Sequence, residues 1–119
     1  MANPGESSCI FCRIVAKSIP ASIVLEDDDI VAFRDARPVA PVHVLVVPRR
    51  HIAGVADMSN DDQQLFGRIL LGARDVAAKL GLSDEGYRLV LNQGAAAGQS
   101  VLHVHCHVLG GRELAWPPG

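Results

Sequence analysis

The chain has 119 residues, a formal net charge of −2 and a composition that is 49% hydrophobic. That is one domain with a core of its own, small enough that about a third of its unfolded-chain surface stays exposed, so association with a second copy is expected. Without a basic excess there is no electrostatic footprint for a nucleic-acid polymer, and no apolar run approaches the roughly 18 residues of a membrane span.

Taken in order, Met1–Ser8 holds Pro4, Gly5 and two serines and reads as a flexible tail, too polar for a secretory signal. The cytoplasm is therefore the expected compartment, and residues 9–119 form the single expected domain. Cys9-x-x-Cys12 opens a short helix with Ile10, Phe11, Ile14 and Val15 at helical spacing, stopped by Pro20. Two of three cysteines set this close suggest a metal or redox pair rather than a secreted disulfide framework. Ser22–Glu26 and Ile30–Arg34, rich in β-branched residues and split by Asp27-Asp28-Asp29, predict a hairpin. Residues 35–41 contain two prolines and should form a loop, after which His43–Val47 is an apolar strand ended by Pro48.

The one long helix is expected to start at Ser59, an N-cap with Asp61 and Asp62 at the positive end of the helix dipole, and to stop at Gly81. Leu65, Ile69, Val76 and Leu80, joined by Phe66, Leu70, Ala73 and Ala77, make its apolar stripe. Tyr87–Leu91 is a fourth strand and His103–Leu109 a fifth, with Gly110–Gly119 trailing behind. Connections too short for helical crossovers point to an α+β fold: a five-stranded antiparallel sheet, one long helix and a short N-terminal helix.

Three of the five histidines fall in the run His103-Val-His105-Cys-His107. On a strand, alternate side chains share a face, so the imidazoles stand together while Val104, Cys106 and Val108 enter the core behind them. Three imidazoles on one face would be a costly way to pack a core. Two functional readings stay open on the residues alone, a His-x-His metal site of the kind zinc hydrolases use and a nucleophilic imidazole. Just upstream, Asn92–Ser100 is a Gly- and Ala-rich loop whose backbone N–H groups and Ser100 hydroxyl could hold an anionic oxygen, phosphate above all.

The run His103-Val-His105-Cys-His107-Val-Leu109 resembles the signature of the histidine triad (HIT) family of nucleotide hydrolases and transferases. Gly86-Tyr87-Arg88, Asn92-Gln93-Gly94, Gly98-Gln99-Ser100-Val101 and the ending Gly110-Gly111-Arg112 to Trp116-Pro117-Pro118-Gly119 are similar to the Hint branch, the purine nucleoside phosphoramidases. So are Ile19-Pro20-Ala21, Ala40-Pro41-Val42-His43 and Pro48-Arg49-Arg50-His51-Ile52. The resemblance runs from about residue 9 to the end and implies a HIT-like fold.

It also implies a chemistry. His105 would attack the α-phosphorus of a nucleoside 5′-phosphoramidate or related AMP or GMP adduct, giving a nucleotidyl-imidazole that water hydrolyses, with no cofactor in the chemical steps. Its other ring nitrogen would be held as N–H by a backbone carbonyl on the same strand. His107, Ser100 and the backbone at Gly98 and Gln99 would stabilise phosphoryl charge, with Asn92 and His43 lining the same pocket. The resemblance further gives Asp35 as the ribose acceptor and Ile10, Phe11, Ile14, Ile19, Phe33 and Leu45 as the purine wall. Arg34 and Ala36 stand beside Asp35 where animal members carry histidine and a larger aliphatic residue. In bacterial members zinc is held by residues that correspond to Cys9, Cys12, His51 and His103, a closed structural Cys2His2 set. A homodimer is implied, the Trp116 segment reaching towards the partner. The competing classes are a metallohydrolase with His103, His105 and His107 on one open metal and a non-catalytic nucleotide-binding regulator; no nucleic-acid or membrane partner is expected.

Overall fold

The computed structural model describes residues 8–119, so that positions 1–7 of the expected tail lie outside the described residues. Helix α1 spans Ile10–Val15. Strands β1 (Ile23–Glu26), β2 (Ile30–Arg34) and β3 (Val42–Pro48) follow, then the long helix α2 (Gln63–Lys79), β4 (Arg88–Val90) and β5 (Cys106–Gly110). The strands form one sheet in the order β1-β2-β3-β5-β4, every pairing antiparallel. This is the α+β architecture expected from the sequence.

The hairpin turn is set by Asp27, whose Oδ1 accepts from the backbone N–H groups of Asp29 at 2.8 Å and Ile30 at 2.9 Å. An Asp side chain that mimics a backbone acceptor in this way makes its own turn. Central strand β3 is buried from His43 onwards because each face of the sheet is covered. Val44 and Val46 join Ile30, Ala32 and Val108 in the core beneath α2, whereas Leu45 and Val47 join Val31, Phe33, Phe11 and Ile14 beneath α1. The functional side chains occupy this second, thinner layer.

Ser59 begins α2 through a short 3-10 turn, accepting from Asp61 N–H at 3.2 Å while its own N–H donates to Asp62 Oδ2 at 2.8 Å. Of the expected stripe, Ile69, Ala73, Val76 and Ala77 are buried, and Leu65, Leu70 and Leu80 pack at its margins. Burying Ile69 and Val76 contributes about 1.5–3 kcal/mol each. Gly72, which the stripe omits, is buried because Ile30 lies against it: a Cβ there would meet Ile30 Cδ1 at 2.3 Å, while one at Gly67 meets nothing within 4 Å. Alanine normally gains about 1 kcal/mol over glycine inside a helix. Gly67→Ala is therefore expected to raise the denaturation midpoint, and Gly72→Ala to lower stability by about 1–3 kcal/mol through overpacking. Equal effects in urea melts would contradict this packing.

Most strand ends shift by a single residue from expectation, and one shifts by three. The sequence pattern extends the fifth strand over His103–Leu109, but β5 starts at Cys106. The β3–β5 register ends at Val46 opposite Cys106. Two residues further it would set Val104 against Pro48, which has no N–H to donate. Val104 N–H instead reaches Ile52 O at 2.7 Å. The facing survives this departure, since Val104, Cys106 and Val108 belong to the core beneath α2 while the rings of His103 and His105 meet Phe11 of α1.

Candidate functional site

His105 is 7% exposed and its Nδ1 lies 2.7 Å from the carbonyl oxygen of His103. A carbonyl only accepts, so Nδ1 carries the proton and Nε2 keeps its lone pair. Phe11 stands edge-on to the ring at a centroid distance of 5.1 Å, so the imidazole is held from two sides. The expected backbone acceptor is thus present, supplied from just ahead of β5.

His107 is fixed by a different chain of donors. Val39 N–H donates to His43 Nδ1 at 3.1 Å, which places the His43 proton on Nε2, and that nitrogen lies 2.9 Å from His107 Nδ1. The His107 proton is then on Nε2, a buried donor with no hydrogen-bond partner among the described residues. A buried donor left unmatched is costly unless something else completes it. Burial pushes the His107 ring down to about 4, reinforced by neighbouring His105 and His43 and opposed by Asp35; burial likewise lowers His43. Asp35 Oδ2 lies 3.4 Å from His43 Nε2, and its Oδ1 accepts from Arg37 N–H at 2.8 Å.

This depressed basicity gives a pH prediction. Unfolded His107 takes up a proton near its ordinary value of 6.5, whereas the folded ring resists protonation down to about 4. The unfolded chain therefore binds more protons in that interval, and stability is expected to fall as pH drops through it. In His107→Gln the decline between those two values should be shallower than in the parent chain, as read from thermal melts. Parallel curves would contradict the assignment.

A cleft of about 720 Å³ opens over these rings. Ile10, Phe11, Ile14, Ile19, Phe33 and Leu45 line it, with Asp35, Ser100, His105 and His107. The expected apolar wall is therefore assembled as one surface from α1, β2, β3 and the turn after α1. Arg34 and Ala36 line it as well, and so do Pro20, Ala21, Ser22, Arg37 and Val101, to which a reading of the sequence gives no place in the pocket. The Asp-x-Arg spacing of Asp35 and Arg37, a recognisable Asx turn, is the available signal for Arg37.

Other expected pocket residues lie behind this surface. His43 is buried beneath His107, and Asn92 is half-buried with its amide nitrogen 4.0 Å from where a Gly98 Cβ would stand; neither lines the cleft. The backbone N–H groups of Gly98 and Gln99, expected to meet phosphate, are instead spent inside the loop. Gly98 N–H donates to Ala95 O at 3.0 Å and Gln99 N–H to Gly94 O at 3.1 Å. The reason is a tight 3-10 turn over Ala95–Ala97, closed by Gly98 at φ 95°. The buried Gln99 side chain staples the loop, accepting from Gly94 N–H at 2.8 Å and donating to Ala53 O at 2.8 Å. From this loop Ser100 carries side-chain chemistry to the cleft.

The first triad histidine belongs to a separate cluster. His103 Nε2 donates to Pro48 O at 2.8 Å, leaving the Nδ1 lone pair aimed at Cys9 Sγ at 3.4 Å and Cys12 Sγ at 3.5 Å. His51 Nδ1 lies 3.2 Å from Cys12 Sγ. The ligand atoms of Cys9, Cys12, His51 and His103 all lie within 4.8 Å of one another, so the four side chains can hold a metal ion. Two sulfurs and two imidazole nitrogens are a tetrahedral zinc set, and the Pro48 carbonyl fixes the His103 tautomer that ligation needs. The three imidazoles do not gather on one open metal: among the described residues the two candidate groupings are this one and Asp35 with His43 and His107, and neither includes His105.

Comparison with known proteins fits this geometry. The family model described as HIT domain matches residues 16–114. An uncharacterized HIT-like protein of Synechococcus elongatus is 53% identical over 110 residues, covering 92% of this chain and 96% of the relative. The crystal structure of a HIT family hydrolase from Legionella pneumophila Philadelphia 1 superposes with a TM-score of 0.92 at 50% identity, covering 94% of this chain and 100% of that one. A zinc-bound histidine triad family protein from Mycobacterium smegmatis gives a TM-score of 0.79 at 32% identity, covering 90% and 77% of the two chains. Among the described residues no helix is long and apolar enough to cross a membrane.

Proposed function

The chain belongs to the HIT domain family, and from that premise we propose that it is a nucleotide hydrolase of the Hint type, cleaving purine nucleoside 5′-phosphoramidates through a nucleotidyl-His105 intermediate. The observation that carries this reading is the pair of opposite tautomers side by side: His105 presents a bare Nε2 and His107 a protonated one, with ring centroids 4.9 Å apart. A nucleophile and a neutral hydrogen-bond donor are what phosphoryl transfer requires at one phosphorus.

In this mechanism the purine lies against the apolar surface of Ile10, Ile14, Ile19, Phe33 and Leu45, and Asp35 accepts from the ribose hydroxyls. His105 Nε2 forms a bond to the α-phosphorus as the P–N bond to the leaving amine breaks. His107 Nε2–H and the Ser100 hydroxyl donate to the phosphoryl oxygens as charge develops there. Water then cleaves the phosphorus–imidazole bond and releases the nucleoside monophosphate. His103 is directed away from the phosphorus, so the amine draws its proton from the substrate, His107 or water. Zinc in the Cys9, Cys12, His51 and His103 site would serve as a structural cross-link, fastening α1 to the segment ahead of β5. We read the chain as a homodimer, in which the 79% exposed Trp116 is offered to the second copy.

The test is a panel of purine and pyrimidine nucleoside phosphoramidates with intact-mass detection of the quenched protein. The expected result is faster release of amine from the purine members and a mass increment of one nucleotide. Tight mononucleotide binding with neither turnover nor adduct would make the protein a binding regulator instead.

A further inference from the structure

The metal cluster and the nucleophile are joined at two points. His103 contributes its ring nitrogen to the cluster and its carbonyl to His105 Nδ1, at 2.7 Å. Cys9 and Cys12 flank Phe11, the residue that stands edge-on to both His103, at 6.0 Å, and His105, at 5.1 Å. Cys9 also caps α1 through its sulfur, which accepts from Cys12 N–H at 3.5 Å. The two sulfurs are thus linked by contacts to Phe11 of the wall and, through His103, to the carbonyl that holds the His105 proton.

The cluster is also reachable. A second groove of about 470 Å³ is lined by Cys9 and His51 together with Ser100, which lines the catalytic cleft too. The third cysteine is unlike this pair: Cys106 is fully buried and burial pushes its thiol up to about 11, so it stays an inert thiol. A solute small enough to enter the groove meets Cys9, whose sulfur lies within 4.8 Å of that of Cys12.

We propose that Cys9 and Cys12 are an oxidation site through which peroxide controls the nucleotide cleft. Resting on the function proposed above, this adds a regulation to the same site. The two thiolate sulfurs give up two electrons and join as a disulfide; peroxide takes those electrons with two protons and leaves as two waters. With two imidazoles remaining, the site can no longer hold zinc. Helix α1 loses the anchor that sets Phe11 against His105, and the cleft loses the alignment of its apolar wall. Reduction by a thiol restores both ligands, so the change is reversible.

The test uses the full chain loaded with zinc and treated with hydrogen peroxide. Three readouts are followed: metal release with a chromogenic chelator, peptide mass mapping of the disulfide, and the dissociation constant for AMP by calorimetry. The expected result is a Cys9–Cys12 disulfide with Cys106 still alkylatable, zinc released in parallel, and AMP binding weakened at least about tenfold, the scale on which outer supports of a site act. Dithiothreitol with added zinc should restore all three. Disulfide formation with unchanged AMP affinity would overturn the coupling, and zinc retained under peroxide, failure to load zinc, or oxidation mapped to Cys106 would overturn the site. If the untreated chain binds no AMP, the nucleotide reading fails, whereas metal release and disulfide mapping still decide the oxidation site.

Discussion

Replacing His105 by alanine is expected to lower phosphoramidate turnover by at least about a thousandfold, the scale on which an enzyme loses its nucleophile. The loss follows from the lone pair at Nε2, which no neighbour can supply. His107 holds its Nε2 proton because His43 donates to its other nitrogen, and His103 has its ring committed to Pro48 and the cysteines. Binding should survive better than turnover. The apolar wall from Ile10 to Leu45 and the carboxylate of Asp35 are untouched, so AMP affinity is expected to change by much less than the rate. Steady-state hydrolysis of adenosine 5′-phosphoramidate and calorimetry with AMP separate the two. An unchanged rate in the alanine variant would remove His105 as the nucleophile.

Cys12→Ser is expected to lower the thermal midpoint of the zinc-loaded protein by about 10 °C or more, and chelation of the metal should reproduce most of that loss in the parent chain. The size follows from what the four ligands connect. Cys9 caps α1 and Cys12 lies within it, His51 comes just beyond β3, and His103 ahead of β5, so a metal held by all four would tie together three stretches far apart in sequence. Helix α1 has only six residues. A helix so short has little stability of its own; the packing of Phe11 and Ile14 holds it, and a metal on the cluster would add a second anchor. Differential scanning calorimetry with and without a chelator measures the effect. A variant that retains full zinc stoichiometry and the parent midpoint would contradict the ligand set.

Much of the fold is legible in the sequence because local signals and packing agree. The Asp27 turn, the Ser59 cap and the alternation of Val104, Cys106 and Val108 each express an interaction within a few residues, and each appears where expected. The burial of Gly72 escapes because it depends on Ile30, 42 positions away, whose side chain needs the space a Cβ would fill. The loop at Gly98 and Gln99 misleads for a related reason. Its glycines do free the backbone, but the freed amides turn inwards to close a 3-10 turn, a choice that composition cannot reveal. The strand position of His43 points it towards the pocket, and only the β3–β5 register shows that it sits diagonally behind His107.

Pro48 ends β3 for want of a single hydrogen on its nitrogen, and that small deficiency shapes how the protein can change over time. Because no ladder claims the peptide of His103, its oxygen is available to the neighbouring ring, and the carbonyl of Pro48 itself steadies the imidazole of His103. A mutation that restored an amide at position 48 would invite the last strand to zip two residues further and hand the oxygen of residue 48 to Val104 N–H, taking it from the imidazole of His103. Natural drift at this proline should therefore be far slower than its distance from the phosphorus would suggest.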